Sequence, residues 1–350
     1  MSAGGEPVRS LVVRVGRMGD VVMITPALRL LLDGRPGDEV QVLTTGEGRR
    51  TLRDFDPRVT RFHLHTRRWI DGLRDRGRLL AELRAQGFAR VYLFESNEHW
   101  RKLVASLGAE VHALDDPPRS AHYAARCLDV VEPTLQRLVS RGPIELPVTE
   151  AGRAAADAYL AAHGLGPADR LVGLHLTFSE SGRGLFASGR GRKHREWPIE
   201  SCVALARKLV ERGAERGVPV RPVLDVLPDE RSMAEAFRER AGDAVTILSG
   251  EPDFERYKAL LARLAVLVTP NTGPMHVAAA VRAPVVALFS GWSPEDCGPF
   301  VPPWRASVLR AEDTPEAERG LAAIAPDAVF AACERFVFGP VPAAAGRITP

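Results

Sequence analysis

No apolar run in this chain reaches the roughly 20 consecutive residues that a membrane-spanning helix needs, although 45% of the 350 residues are apolar. The apolar residues are dispersed as in a globular core, and a chain of this length suits two ordinary domains better than one. Cysteine is scarce. Cys127, Cys202, Cys297 and Cys333 are scattered without paired spacing, which argues against a disulfide frame or a zinc site and leaves them as small apolar residues. Charge of one sign is lacking too: 47 basic against 44 acidic residues give a net charge of +3, too balanced to argue for a nucleic-acid partner. His63 and His65 share a face of an expected strand but have no third ligand nearby in sequence, so no metal is expected. The first nine residues are small and polar and lack a secretory pattern, from which a cytoplasmic location is expected. Two nucleotide signatures are also missing. There is no G-x-x-x-x-G-K-[ST]; Gly16 and Gly19 do not form G-x-G-x-x-G, and the strand ending Leu43-Thr44-Thr45 carries no ribose-binding acid, which disfavours a P-loop NTPase and an NAD-dependent dehydrogenase.

What is there is alternation. In the first half, strands are expected at residues 11–15, 39–43, 61–64, 90–94 and 110–113, with helices at 20–32, 69–86 and 121–139. Residues 143–148 read as the crossing into a second half. There, strands at 171–176, 221–226, 245–248, 264–268 and 284–289 alternate with helices at 199–212, 229–241, 254–264, 274–281 and 326–336. This is the pattern of doubly wound α/β sheets. Residues 340–350 are expected to be a disordered tail.

Two turns carry chemical information. Asn271-Thr272-Gly273-Pro274-Met275-His276 follows an apolar strand and opens an alanine-rich helix, with Thr272 placed to cap and Pro274 suited to the first helical position. Backbone N–H groups at such a helix start can point at a phosphate, and His276 lies in the first turn. Near the start, Gly16-Arg17-Met18-Gly19-Asp20 follows another apolar strand. Asp20 has two readings there: a cap that satisfies N–H donors, or a general base at the mouth of a cleft.

These segments, in order, resemble glycosyltransferase family 9, whose best-known members are the heptosyltransferases that use ADP-heptose. The resemblance spans most of the chain. It rests on Gly19-Asp20 with Thr25-Pro26-Ala27-Leu28, on Leu174-His175-Leu176-Thr177, on Lys193-His194-Arg195-Glu196-Trp197-Pro198, on Glu230, on Asn271 to His276, and on Ile324-Ala325-Pro326-Asp327-Ala328-Val329. It implies a GT-B fold: two Rossmann-like domains with parallel sheets facing across a cleft, an acceptor domain at 1–150 and a nucleotide-sugar donor domain at 151–339. It also implies inverting, metal-independent sugar transfer with no cofactor, a nucleotide diphosphate sugar serving as co-substrate.

Displacement at an anomeric carbon needs a base for the acceptor hydroxyl and stabilisation for the departing diphosphate. The resemblance assigns the base to Asp20 and donor binding to Gly19, Thr177, Ser179, Lys193, Arg195, Glu230, Asn271, Thr272, Gly273 and His276. Two departures stand out. The family lysine two residues before the tryptophan is here Arg195, with Lys193 two residues further back in an expanded glycine-rich loop, so either cation can inherit the phosphate contact. The family Asp-Thr-Gly is here Asn271-Thr272-Gly273, which keeps hydrogen-bonding capacity but loses the negative charge, so the donor sugar can differ from heptose. A catalytically silent nucleotide-sugar binding module is therefore the alternative reading.

On the acceptor side, Glu95, Asn97 and Arg101 follow a first-domain strand and are candidates for reading the acceptor; an ordinary polar connection with Trp100 turned inward explains them equally. The run Arg67-Arg68, Arg74, Arg76 and Arg78 suits a phosphorylated lipid core, but Asp71, Asp75 and Glu82 interleave with it as on a solvated helix face. The acceptor is expected to be a saccharide, a lipid-linked saccharide or a natural product, with at most peripheral membrane contact.

Overall fold

The computed structural model describes residues 8–65, 72–175, 195–227 and 230–339. The expected tail at 340–350, Arg67, Arg68, and the candidates Thr177, Ser179 and Lys193 lie outside them. The chain divides into two compact units, Met1–Pro147 with Glu295–Phe300, and Val148–Pro294 with Val301–Pro350.

The first unit contains β1 (Val8–Val13), β2 (Asp38–Thr44), β3 (Val59–Leu64), β4 (Arg90–Leu93) and β5 (Glu110–Ala113) in the order β3-β2-β1-β4-β5. Every pairing is parallel. Ser10, Leu11, Val12 and Val13 of β1 are all buried in succession, as in a parallel strand covered on both faces. The one polar member is satisfied, since Ser10 Oγ donates to Asp38 Oδ2 at 2.7 Å.

The second unit contains β6 (Arg170–Leu174), β7 (Val220–Val226), β8 (Thr246–Ser249), β9 (Val266–Pro270), β10 (Val285–Phe289) and β11 (Ala306–Arg310), ordered β11-β10-β9-β6-β7-β8, again all parallel. Val266, Val268, Val286 and Leu288 of the sheet pack with Cys202, Leu205, Ala206 and Leu209 of helix Ile199–Arg216 and with Val329, Cys333 and Val337 of helix Pro326–Val337. These helical positions recur every three or four residues, the spacing of one buried stripe. Helix Ile199–Arg216 stops at Gly217, whose φ of 63° is the left-handed closure that glycine adopts without steric cost. Cys127, Cys202 and Cys333 are buried, and burial pushes the thiols of Cys127 and Cys333 up to about 12, so they are inert packing groups.

Both sheets reverse strand order once, between β1 and β4 in the first unit and between β6 and β9 in the second. In doubly wound sheets, ligands bind beyond the carboxyl ends of strands at such a reversal. The loops that matter are thus those leaving β1, β4, β6 and β9.

Some elements differ from expectation. The helix expected at 20–32 is two, Met18–Val22 and Thr25–Gly34, because Pro26 sits in the first turn of the second, where a missing N–H costs nothing. The helix expected at 121–139 is Tyr123–Val131 followed by a 3-10 turn at Glu132–Thr134; Pro133 lacks the N–H that would continue the helical ladder, and the chain becomes extended at Leu135. Helices Gly46–Leu52, Glu98–Ala105 and Glu150–Ala162 and strand β11 had no expected counterpart. All three helices are short or alanine- and glycine-rich, and each begins at a side-chain cap, Thr45, Asn97 and Thr149.

Candidate functional site

In the first unit, the loop leaving β1 is held from three sides. Val15 N donates to Glu95 Oε1 at 2.7 Å, Thr45 Oγ1 donates to the Gly16 carbonyl at 3.0 Å, and Met18 N donates to Glu47 Oε1 at 2.9 Å. Gly16 allows the close approach: a Cβ there would lie 2.4 Å from Asp20 Cβ. Asp20 sits in the first turn of helix Met18–Val22, and its Oδ2 accepts from Arg17 N at 2.9 Å, the return arm of a capping box. The cap is therefore real, but it occupies one oxygen. Oδ1 pairs with Arg14 Nη2 at 2.9 Å, and with 37% of the side chain exposed the carboxylate still reaches solvent.

Arg14 and Tyr123 complete this cluster and were not singled out from the sequence. Arg14, only 13% exposed, lies between Asp20 and Glu95, with Nη1 3.3 Å from Glu95 Oε1 and its guanidinium 4.6 Å from the Tyr123 ring centroid. Burial works against its charge, but the Asp20 and Glu95 carboxylates beside it favour the charged form, and the Arg14 pKa is raised. Tyr123 OH donates to the Phe94 carbonyl at 2.6 Å. The only sequence signal for Arg14 was a charged residue directly after a buried apolar strand.

The three acceptor candidates are placed differently. Glu95 turns inward to Val15 N and Arg14. The Asn97 side chain caps helix Glu98–Ala105 by accepting from His99 N at 2.8 Å. Arg101 Nη2 reaches the Leu114 carbonyl at 3.5 Å, and Trp100 is buried.

In the second unit, an open depression of about 230 Å³ including its mouth lies at the carboxyl ends of β9 and β10, lined by Arg195, Pro270, Asn271, Thr272, Leu288, Ser290, Trp292 and Leu321. Three sequence candidates, Arg195, Asn271 and Thr272, thus meet in one place. Ser290 and Trp292 were missed; their signal was a Ser-Gly-Trp run directly after an apolar strand. Trp292 is 53% exposed, and the Arg195 guanidinium lies 5.9 Å from its ring centroid. Thr272 occupies the N-cap position of helix Gly273–Ala280 as expected, but its hydroxyl does not cap: it donates back to the Pro270 carbonyl at 3.3 Å. With that hydroxyl engaged by the carbonyl, the positive end of the helix is not quenched by the Thr272 oxygen. Gly273 opens the helix, and His276 lies buried in its first turn.

Arg195 is carried by Trp197, which is buried and donates from Nε1 to the Ile324 carbonyl at 3.0 Å. That bond joins two motif segments far apart in sequence and supports packing as the role of Trp197. Glu230 stands apart from the depression, past the end of β7, where its Oε2 accepts from Leu227 N at 2.9 Å ahead of helix Arg231–Ala241. Near it, burial pushes the Asp225 carboxyl up to about 6 despite the hydrogen bond from Tyr159 OH at 3.1 Å. Among the described residues, no group of three or more His, Cys, Asp or Glu is gathered as for a metal ion, and no helix is long and apolar enough to cross a membrane.

Known proteins share this architecture. Residues 99–322 match the family model described as glycosyltransferase family 9 (heptosyltransferase). A stretch of 118 residues is 27% identical to lipooligosaccharide heptosyltransferase 2 of Haemophilus influenzae, covering 33% of this chain and 32% of that protein, so the match spans about a third of the curated relative. Among solved structures, a glycosyl transferase family 9 protein from Veillonella parvula superposes with a TM-score of 0.77 at 20% identity, covering 97% of this chain and 100% of that one. The ADP-heptose lps heptosyltransferase II of E. coli gives 0.70 at 19% identity over 95% and 99%, and an E. coli heptosyltransferase solved with ADP gives 0.69 at 19% over 94% and 100%. The pair of Rossmann-like parallel-sheet units is that of the GT-B fold. By its family match and its fold, the chain belongs to glycosyltransferase family 9.

Proposed function

We propose that this protein transfers a sugar, with inversion and without a metal, from a nucleotide diphosphate sugar to an acceptor hydroxyl. Asp20 takes the acceptor proton. An alcohol is a poor nucleophile near neutral pH, and a positioned base typically contributes about 10²- to 10⁴-fold. On the donor side, charge grows on the departing diphosphate. The start of helix Gly273–Ala280 and the Arg195 guanidinium supply fixed positive potential there. Arg195 presents a planar fork, where Lys193, outside the described residues, would supply a point charge. Thr177 and Ser179, also outside them, Gly19, His276 and Glu230 are assigned to the donor by family position, Glu230 to its ribose.

The observation that carries this reading is the depression at the ends of β9 and β10, where a cation, an amide and a helix start that the Thr272 hydroxyl does not cap converge. The named activities of the relatives favour ADP-heptose as the donor and a lipopolysaccharide-type saccharide as the acceptor. Asn271 in that depression carries no charge, so the test extends beyond heptose donors. The test is a panel of ADP-, UDP- and GDP-sugars offered with saccharide acceptors and read by mass spectrometry. Transfer from an ADP-sugar supports the proposal. Binding of donors without product from any acceptor would instead identify a silent nucleotide-sugar module.

A further inference from the structure

The reversal between β1 and β4 holds one cation and two carboxylates. Arg14 leaves β1, Glu95 leaves β4, and Asp20 enters from helix Met18–Val22. The guanidinium touches both acids by different nitrogens, Nη2 to Asp20 at 2.9 Å and Nη1 to Glu95 at 3.3 Å, and Nη1 also donates to the Phe94 carbonyl at 3.2 Å. Its flat face lies on Tyr123. The two acids are not equivalent: Asp20 is 37% exposed and Glu95 13%.

We infer that Arg14 is a positioning residue for the Asp20 carboxylate, and that Glu95 shares its guanidinium so that Asp20 stays able to accept a proton. The inference rests on the reading of Asp20 as the base. A carboxylate gripped by an unshared arginine loses basicity. A second acid on the other edge of the same guanidinium draws part of that field away. A guanidinium holds two acids at once in directions fixed by its planar fork, whereas a lysine ammonium is a point charge on a flexible stem. Stability alone does not account for the arrangement. Arg14 Nε is buried without a hydrogen-bond partner among the described residues, and a buried ion cluster with an unsatisfied donor is commonly matched in stability by an apolar replacement.

Three other ionisable groups face the cluster. Tyr123 and Cys127, on helix Tyr123–Val131, are kept neutral by burial, which raises the tyrosine well above its usual value and the thiol to about 12. Glu47, on helix Gly46–Leu52, accepts from Met18 N.

The test reads the Asp20 carboxyl directly by ¹³C NMR titration of protein labelled at aspartate, the signal assigned with Asp20→Asn, and needs no substrate. Arg14→Met should move the Asp20 titration midpoint up by about one pH unit, and Glu95→Gln should move it down by about one. Arg14→Lys should restore most of the midpoint while leaving kcat about tenfold below the parent, since charge returns and the fork does not. Glu95→Gln is isosteric and preserves the acceptor for Val15 N, so the downward arm stands even where Arg14→Met fails to fold. Midpoints that stay put, or that move in the same direction in both variants, would overturn the inference. The base reading is tested separately by Asp20→Ala turnover with ADP-heptose as the probe donor. Opposed midpoint shifts with parental Asp20→Ala turnover would leave Arg14 sharing intact and remove its catalytic meaning.

Discussion

Replacing Gly16 by alanine puts a methyl group 2.4 Å from Asp20 Cβ, 2.9 Å from Oδ2 and 3.0 Å from Cγ. Carbon atoms rest at about 3.5–4 Å, so roughly 1 Å of movement is required. The loop has little room to give it. The Gly16 carbonyl is held by Thr45 and the flanking Val15 N by Glu95, whereas Asp20 sits on a helix of five residues with an exposed carboxylate. The displacement therefore falls on Asp20. Misplacing a reacting group by about 1 Å costs on the order of a hundredfold in rate, and overpacking of this kind costs about 1–3 kcal/mol of stability. Gly16→Ala should accordingly remain folded, bind the nucleotide-sugar donor as the parent does, and lose about a hundredfold in kcat with little change in donor KM. Steady-state transfer kinetics, donor titration calorimetry and thermal unfolding read the three quantities. Parental kcat in a folded Gly16→Ala protein would refute the reasoning, because the base cannot both move and keep its rate.

Two further outcomes concern stability. The Asp225 carboxyl rises from 3.8 to about 6 on folding, chiefly by burial, so the native state favours its protonated form. The sign follows: this stabilisation is present at low pH and is lost as pH rises through about 6, at most about 3 kcal/mol. Asp225→Asn should therefore gain on the parent between pH 4 and pH 7.5 in urea unfolding, and a pH-independent difference would contradict the cause. In the second unit, Lys258 is 1% exposed and pairs with Glu255 Oε1 at 2.8 Å, while Glu255 Oε2 lies 3.3 Å from Thr149 Oγ1 at the start of helix Glu150–Ala162. Glu255→Ala removes a carboxylate that pairs with a buried cation and should cost about 3 kcal/mol in chemical unfolding, with much of that recovered by adding Lys258→Met.

The two switch-point turns were legible because they pair strong local signals, an apolar strand followed closely by glycine and by polar residues that open a helix. What stayed hidden depends on neighbours distant in sequence. Arg14 looks like the charged end of a strand until β4 brings Glu95 beside it and helix Tyr123–Val131 brings the ring. Ser290 and Trp292 join the depression only because β10 lies next to β9 in the sheet. Asn97 reads as a cleft residue until the helix it caps is seen, and the return of Glu295–Phe300 to the first unit has no compositional mark. Strand β11 is a partly exposed edge strand with no alternation to announce it.

The most direct test of the account is the transfer rate of Asp20→Ala alongside its affinity for the nucleotide-sugar donor. Retained donor binding with transfer slowed at least about a hundredfold is the predicted result. Parental turnover in the same protein would contradict it, and would return Asp20 to the helix cap that its Oδ2 already forms.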